Sequence, residues 1–227
     1  MKIAVVAAME EELAPFRANF ATTVVWRKGK TVIEQVNESL YLVESGIGKT
    51  NAAATAAWLC EKIQPDVIIN TGTTGSFRSD FALGDVVYTD KFVYSDVDAT
   101  GFNYTFGQVP QMPVDYPVAK EWLAKIEEAL KDRTVTAHLG TIVTSDSFMS
   151  DTQSIAAIRQ VFPTIAASDM ESCSLAQVAS FYEIPIVNVR GISDHVGDAA
   201  PDTFDDMLDH AAEQAFQAVK ILLEQWG

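Results

Sequence analysis

Residues 167–194, ASDMESCSLAQVASFYEIPIVNVRGISD, read as a helix followed by a strand with carboxylates at both open ends. Asp169 and Glu171 stand at the helix entrance, and Leu175, Ala176, Val178 and Ala179 give the helix a small apolar stripe. Pro185 separates it from Ile186, Val187 and Val189, a strand apolar over most of its length. Such strands are usually buried under helices on both faces, and in open α/β sheets ligands gather beyond the carboxyl ends of the strands. Arg190, Ser193 and Asp194 are expected just past that end. Taken alone, Asp194 reads equally well as a helix cap or salt-bridge partner, and an acid in a first helical turn, such as Glu171, is already explained by the helix dipole. A site requires that other strand exits bring matching chemistry to the same edge.

Moving outward, residues 2–8 (KIAVVAA) predict a buried strand that runs into Glu10, Glu11 and Glu12 and an amphipathic turn ending near Pro15 and Phe16. Alternating runs at Val24–Arg27, Thr31–Val36 and Leu40–Glu44 predict an antiparallel meander, which makes the sheet mixed. Ser45-Gly46-Ile47-Gly48-Lys49-Thr50 opens a helix over 51–63, a Gly-rich loop suited to an anion or a sugar edge. Gly48-Lys49-Thr50 matches the tail of a phosphate-binding P-loop, but that motif needs a glycine five residues earlier and position 43 is Val, so the nucleoside-triphosphatase reading is rejected. Val67–Asn70 predicts a strand ending in a tight turn, Thr71-Gly72-Thr73-Thr74-Gly75. A further strand over Val86–Tyr94 leads into residues 96–113, rich in Phe, Tyr, Gly and Pro; loops that long are mostly functional or packed on a partner.

A helix is expected over 117–131 and a strand over His138–Val143, which exits into Ser145-Asp146-Ser147-Phe148-Met149. Phe148 there is either core or a platform for a heteroaromatic ring. Ser150 and Asp151 can cap a helix to about Val161, Thr164–Ala167 is a short strand, and a last helix runs from Asp202 to Leu223 with Phe204, Met207 and Leu208 on its inner stripe. About six sheet strands thus alternate with helices. The exits after residues 8, 44, 70, 143 and 189 all carry polar, Gly-rich or aromatic residues, and that convergence outweighs any single residue.

No Pro/Gly/Ser-rich linker divides the chain, so residues 1–227 are expected to form one domain. Sixteen basic against 31 acidic residues, a net charge of -15, argue against a nucleic-acid or anionic-membrane surface, both of which need clustered Lys and Arg. The expected partner is a small molecule. The N-terminus meets acids at once, unlike a secretory signal, and no stretch reaches the ~18–20 apolar residues of a membrane span, which points to the cytoplasm. Cys60 and Cys173 stand alone and read as buried, inert thiols; His138, His195 and His210 have no metal-ligand spacing, and no metal or cofactor is expected.

Taken together, AAMEEE at 7–12, SGIGK at 45–49, INTGTTG at 69–75, SDSFM at 145–149, DME at 169–171 and RGISD at 190–194 resemble the 5′-methylthioadenosine/S-adenosylhomocysteine nucleosidases over the length of the chain. The resemblance implies the nucleoside phosphorylase fold, a three-layer α/β/α sandwich around a mixed β-sheet, in a homodimer. It places Glu12 on the acid that activates the attacking water, Glu171 on the acid that binds the ribose hydroxyls, and Asp194 on the acid that protonates adenine. A raised pKa at Asp194, from burial or neighbouring acids, is what that role requires. Arg190 matches a residue that helps place the water. Phe148 matches the ring that stacks on adenine, and Met149 the residue whose backbone meets the base edge. Met9, Ile47 and Phe204 match the 5′-alkylthio pocket, and Met170 and Ser193 also fall within the substrate motifs. Ala99, Phe102 and Pro110 match residues lent by the second subunit.

Three positions depart from the pattern. Thr73 stands where Ser is expected beside the proton-donating acid, Asp169 where Glu is expected, and Ala99 where a larger apolar residue is expected. The rival readings are a purine nucleoside phosphorylase, a hydrolase of another adenine nucleoside such as aminodeoxyfutalosine, and a nucleoside-binding module without activity.

Overall fold

The computed structural model describes residues 1–131, 133–197 and 199–227. Its centre is the pair β5 (Val67–Ser76) and β12 (Ile186–His195), two parallel ten-residue strands matched from Ile68 opposite Ile186 to Ser76 opposite His195. Both begin as buried apolar runs and continue as buried polar ones. Here the structure corrects the sequence. Thr71–Gly75 is not a tight turn, and Arg190, Ser193 and Asp194 do not lie beyond a strand; all belong to these two strands. The glycines that read as turn signals keep the ladder and omit side chains. The register shifts between Ile192 and Asp194, an irregularity of the kind that turns side chains off strict alternation.

On one side of β5 lies β1 (Ile3–Ala7), then β4 (Leu40–Glu44), β3 (Thr31–Gln35) and β2 (Thr23–Lys28); β1 runs parallel to both β5 and β4, and β2 to β4 form the expected meander. Beyond the end of β5 come β11 (Ile165–Asp169), β10 (Thr141–Thr144), β7 (Lys91–Tyr94) and β8 (Tyr116–Pro117). A branch from β12 adds β6 (Val86–Tyr88) and β9 (Ala137–Leu139). The twelve strands among the described residues are the six expected core strands and the three of the expected meander, with three more from two divided strands and the short β8. Val86–Tyr94 is two strands because the Thr89 hydroxyl donates to the Lys91 carbonyl at 2.6 Å and folds the backbone between them, and residues 137–144 break likewise at Gly140.

Helices flank this sheet in a three-layer α/β/α arrangement. α6 (Ala200–Trp226) lies along β12 and β5 and packs on α1 (Glu10–Asn19) and α3 (Lys120–Leu130); α2 (Lys49–Lys62) packs on α5 (Ser172–Phe181). α1 continues through Pro15 to Asn19, beyond its expected end. Its Phe16 meets Phe216 of α6 edge-on at 4.9 Å, a contact of ~0.5–1.5 kcal/mol beyond the area it buries. The inner stripe of α6 is Ala211, Ala212, Ala215, Phe216, Val219 and Leu222; Phe204, Met207 and Leu208 are only half-buried. α4 (Thr152–Val161) starts at Asp151, whose carboxylate accepts from the Ser154 amide at 2.8 Å, as capping predicts. Residues 96–113 hold a single turn of 3-10 helix at Thr100–Phe102. No helix among the described residues is long and apolar enough to cross a membrane.

Candidate active site

A cavity of about 340 Å³ opens where the exits of β1, β5, β10, β11 and β12 meet the start of α6. It brings together every own-chain site residue inferred from sequence: Glu12, Thr73, Glu171, Arg190, Asp194, Met9, Ile47, Phe148, Met149, Met170, Ser193 and Phe204. Ala99, Phe102 and Pro110 are not in its lining. Thr74, Ser168, Asp169, Pro201 and Asp205 line it as well and were not picked out as site residues.

Glu12 sits in the first turn of α1 and folds back over the helix end. Its Oε2 accepts from the amides of Ala8 at 2.9 Å and Met9 at 3.1 Å, the acidic half of a capping box. Its Oε1 accepts from the Thr73 amide at 2.8 Å and the Thr73 hydroxyl at 2.9 Å. The acid is thereby buried yet oriented. Gly72, at φ +126°, makes room for it: a Cβ there would overlap the Glu12 carboxylate. The Thr73 hydroxyl was expected beside Asp194; it serves Glu12 instead, because Thr73 lies across from α1.

Asp194 lines the cavity from β12, and its Oδ1 accepts from the Ser193 hydroxyl at 2.8 Å. Facing it is Gly75, where a Cβ would come within 2.9 Å of the carboxylate. Burial raises the pKa of Asp194, with the Ser193 hydrogen bond and the His195 charge pulling the other way. Burial thus shifts the group toward its protonated form.

Between these two acids lies a buried charge network. Arg190, 1% exposed, is ion-paired through Nε to Asp169 at 3.0 Å and through Nη2 to Glu171 at 3.3 Å. Nε also donates to the Asn188 carboxamide at 3.2 Å, Nη1 to the Thr73 carbonyl at 2.8 Å, and Nη2 to the Asn70 carboxamide at 3.0 Å. Of the five guanidinium hydrogens, one on Nη1 has no acceptor among the described residues, and Arg190 is part of the cavity wall. Glu171 Oε1 accepts from the Gly48 amide at 2.9 Å. Burial pushes the Glu171 pKa up to about 7, the Arg190 charge opposing and the Asp169 and Glu12 carboxylates adding to the rise.

The Gly-rich loop does bind anions, but they are the protein's own. Glu171 takes the Gly48 amide, and Asp146 takes the Lys49 amide at 2.8 Å. Phe148, 42% exposed, forms one wall and meets Phe204 edge-on at 5.8 Å; Met9, Ile47 and Met170 complete an apolar lining. Elsewhere, Cys60 and Cys173 are free and buried, and burial pushes the Cys60 thiol up to about 11. His138 pairs with Asp85 at 2.8 Å and His195 contacts the Phe81 carbonyl. Among the described residues no three His, Cys, Asp or Glu side chains are grouped to hold a metal ion.

The chain is similar to known proteins over its whole length. The model of the phosphorylase superfamily matches residues 2–224. A 5′-methylthioadenosine/S-adenosylhomocysteine nucleosidase of Bacillus cytotoxicus is 40% identical over 233 residues, covering 99% of each chain. Two solved nucleosidases of the same name superpose with a TM-score of 0.94. That from S. pneumoniae, with a transition-state inhibitor, is 36% identical over 100% of both chains. That from Colwellia psychrerythraea, in complex with adenine, is 32% identical over 99% of this chain and 95% of its own.

Proposed function

The chain belongs to the phosphorylase superfamily, and we propose on that basis that it is a 5′-methylthioadenosine/S-adenosylhomocysteine nucleosidase, a hydrolase that cleaves the N-glycosidic bond to release adenine and the 5′-thio-ribose. Breaking that bond develops positive charge on the ribose and negative charge on the departing base. Asp194 supplies a proton to the base, a role that burial favours by raising its pKa. Glu12 and Arg190 both line the cavity, and the attacking water is assigned to the space between them, Glu12 accepting its proton as it attacks. Two carboxyl groups divide acid and base work here as they do in inverting glycosidases. Glu171 is offered to the ribose hydroxyls, and Phe148 to the face of adenine.

The observation that carries this reading is the charge balance of the cavity. Five carboxyl groups, Glu12, Asp169, Glu171, Asp194 and Asp205, line it against one cation, Arg190, among the described residues; even with Asp194 and Glu171 holding protons, three carboxyl groups remain against that one cation. A phosphate dianion entering there meets repulsion and a guanidinium whose donors are mostly taken, which disfavours the phosphorylase reading. Incubation with methylthioadenosine and with S-adenosylhomocysteine, followed by mass spectrometry, tests it. Adenine and the matching 5′-thio-ribose are the expected products; a ribose 1-phosphate, or no cleavage of either nucleoside, rejects it.

We place the activity in one domain spanning residues 1–227, in the cytoplasm and in a homodimer. Phe102 is 81% exposed and lies outside its own protomer's cavity, which supports its being lent, with Ala99 and Pro110, to the 5′ end of a partner's site.

A further inference from the structure

Asn188 is a carboxamide with no exposure, set in β12 between Val187 and Val189, both fully buried. A buried amide in an otherwise apolar strand is costly unless its hydrogen bonds are made. Its Oδ1 accepts from Arg190 Nε at 3.2 Å, and its Nδ2 donates to Asp169 Oδ2 at 3.4 Å. Both side-chain bonds lead into the charge network of the cavity. The same Asp169 Oδ2 pairs with Arg190 Nε at 3.0 Å, so the three groups close a ring.

Asp169 has a second task. Its Oδ1 accepts from the Thr144 hydroxyl at 2.7 Å and from the amides of Glu171 at 3.3 Å and Ser172 at 3.2 Å, fixing the backbone from which Glu171 projects. One short carboxylate thus reaches its own helix start with one oxygen and Arg190 with the other. A side chain one methylene longer, as the family resemblance leads one to expect at 169, would have to shift to keep both sets of contacts with Asn188 in place.

We propose that Asp169 and Asn188 act as one positioning unit: Asn188 completes the reach of the shorter acid and holds the Arg190 guanidinium so that its one uncommitted Nη1 hydrogen faces the cavity beside Glu12. The inference rests on the hydrolase reading for its kinetic consequence, though not for its geometry. Neither residue needs to touch substrate. Their effect passes through Arg190 and through the seat of Glu171, and displacement of a catalytic group by ~1 Å is enough for ~10²-fold in rate.

The test is a double-mutant cycle on the full-length protein. Asn188→Ala and Asp169→Glu are each expected to lower kcat about ten- to a hundredfold with KM for methylthioadenosine changed less than about threefold. The pair Asp169→Glu/Asn188→Ala, which moves a methylene from one partner's space to the other's, is expected to recover most of that loss. Asn188→Leu, which leaves no comparable void, guards against a cavity that merely unfolds the protein and should lose kcat as Asn188→Ala does. Losses that multiply in the double variant, or a full-rate Asn188→Leu, overturn the unit. If the wild type releases no adenine, the hydrolase reading fails by itself. The unit is then judged by crystallography of Asn188→Leu, in which a shifted guanidinium supports it and an unmoved one overturns it.

Discussion

At the scale of single residues, the two acids at the ends of the reaction make separable predictions. Asp194→Asn and Glu12→Gln should each lower kcat by ~10²- to 10⁴-fold while substrate analogues still bind, because each group acts mainly in the transition state. Less than about a tenfold loss for Asp194→Asn, in steady-state assays, would remove it as the general acid. Its pH dependence has a definite sign. Asp194 works protonated and burial raises its pKa, so its contribution to kcat/KM should be lost as pH rises through that value, giving a falling limb on the alkaline side. The Ser193 hydroxyl, donating at 2.8 Å, favours the charged form, so Ser193→Ala should move this falling limb to higher pH; a move to lower pH would contradict the assignment. These residues were singled out by motifs at the strand exits that resemble a known family, and the structure gathers them at one cavity. The partner of the Thr73 hydroxyl was not legible, since it depends on how α1 lies across β5, which no local pattern encodes.

At the scale of elements, the sequence revealed where strands begin better than where they end. Val67–Asn70 and Ile186–Val189 announce themselves by their apolar side chains, but Thr71–Ser76 and Arg190–His195 continue the same ladder with polar residues and glycines. Glycine reads as a strand breaker because it gains little from packing; here Gly72 and Gly75 are absences of side chain that admit Glu12 and Asp194. Gly72→Ala therefore carries a strained φ and a collision with Glu12 at once, and should lower kcat at least about a hundredfold while circular dichroism keeps the α/β spectrum. Near-normal turnover would mean that Glu12 is not held where it needs to be held. β6 with β7, and β9 with β10, were each read as one strand for a related reason: the Thr89 hydroxyl, bonded to the Lys91 backbone, and one glycine divide runs that look continuous.

At the scale of the whole molecule, the exposed Phe102 is what the proposed homodimer would cover. Burial of a Phe side chain contributes ~1.5–3 kcal/mol, so Phe102→Ala should weaken binding of the 5′-thio nucleoside about ten- to a hundredfold and leave free adenine nearly unaffected, with light scattering giving twice the chain mass for the wild type. Equal losses for both ligands, or a fully active monomer, would return the loop to its own protomer. The net charge of -15 and the acid-lined cavity lead to the most direct test of the account, which is that water, activated by Glu12, is the nucleophile. The measurement is the rate of adenine release from methylthioadenosine by the wild type with and without inorganic phosphate, with Glu12→Gln run alongside. A rate independent of phosphate that collapses in Glu12→Gln is the predicted result; release that requires phosphate, or that persists at full rate without the Glu12 carboxylate, would contradict it.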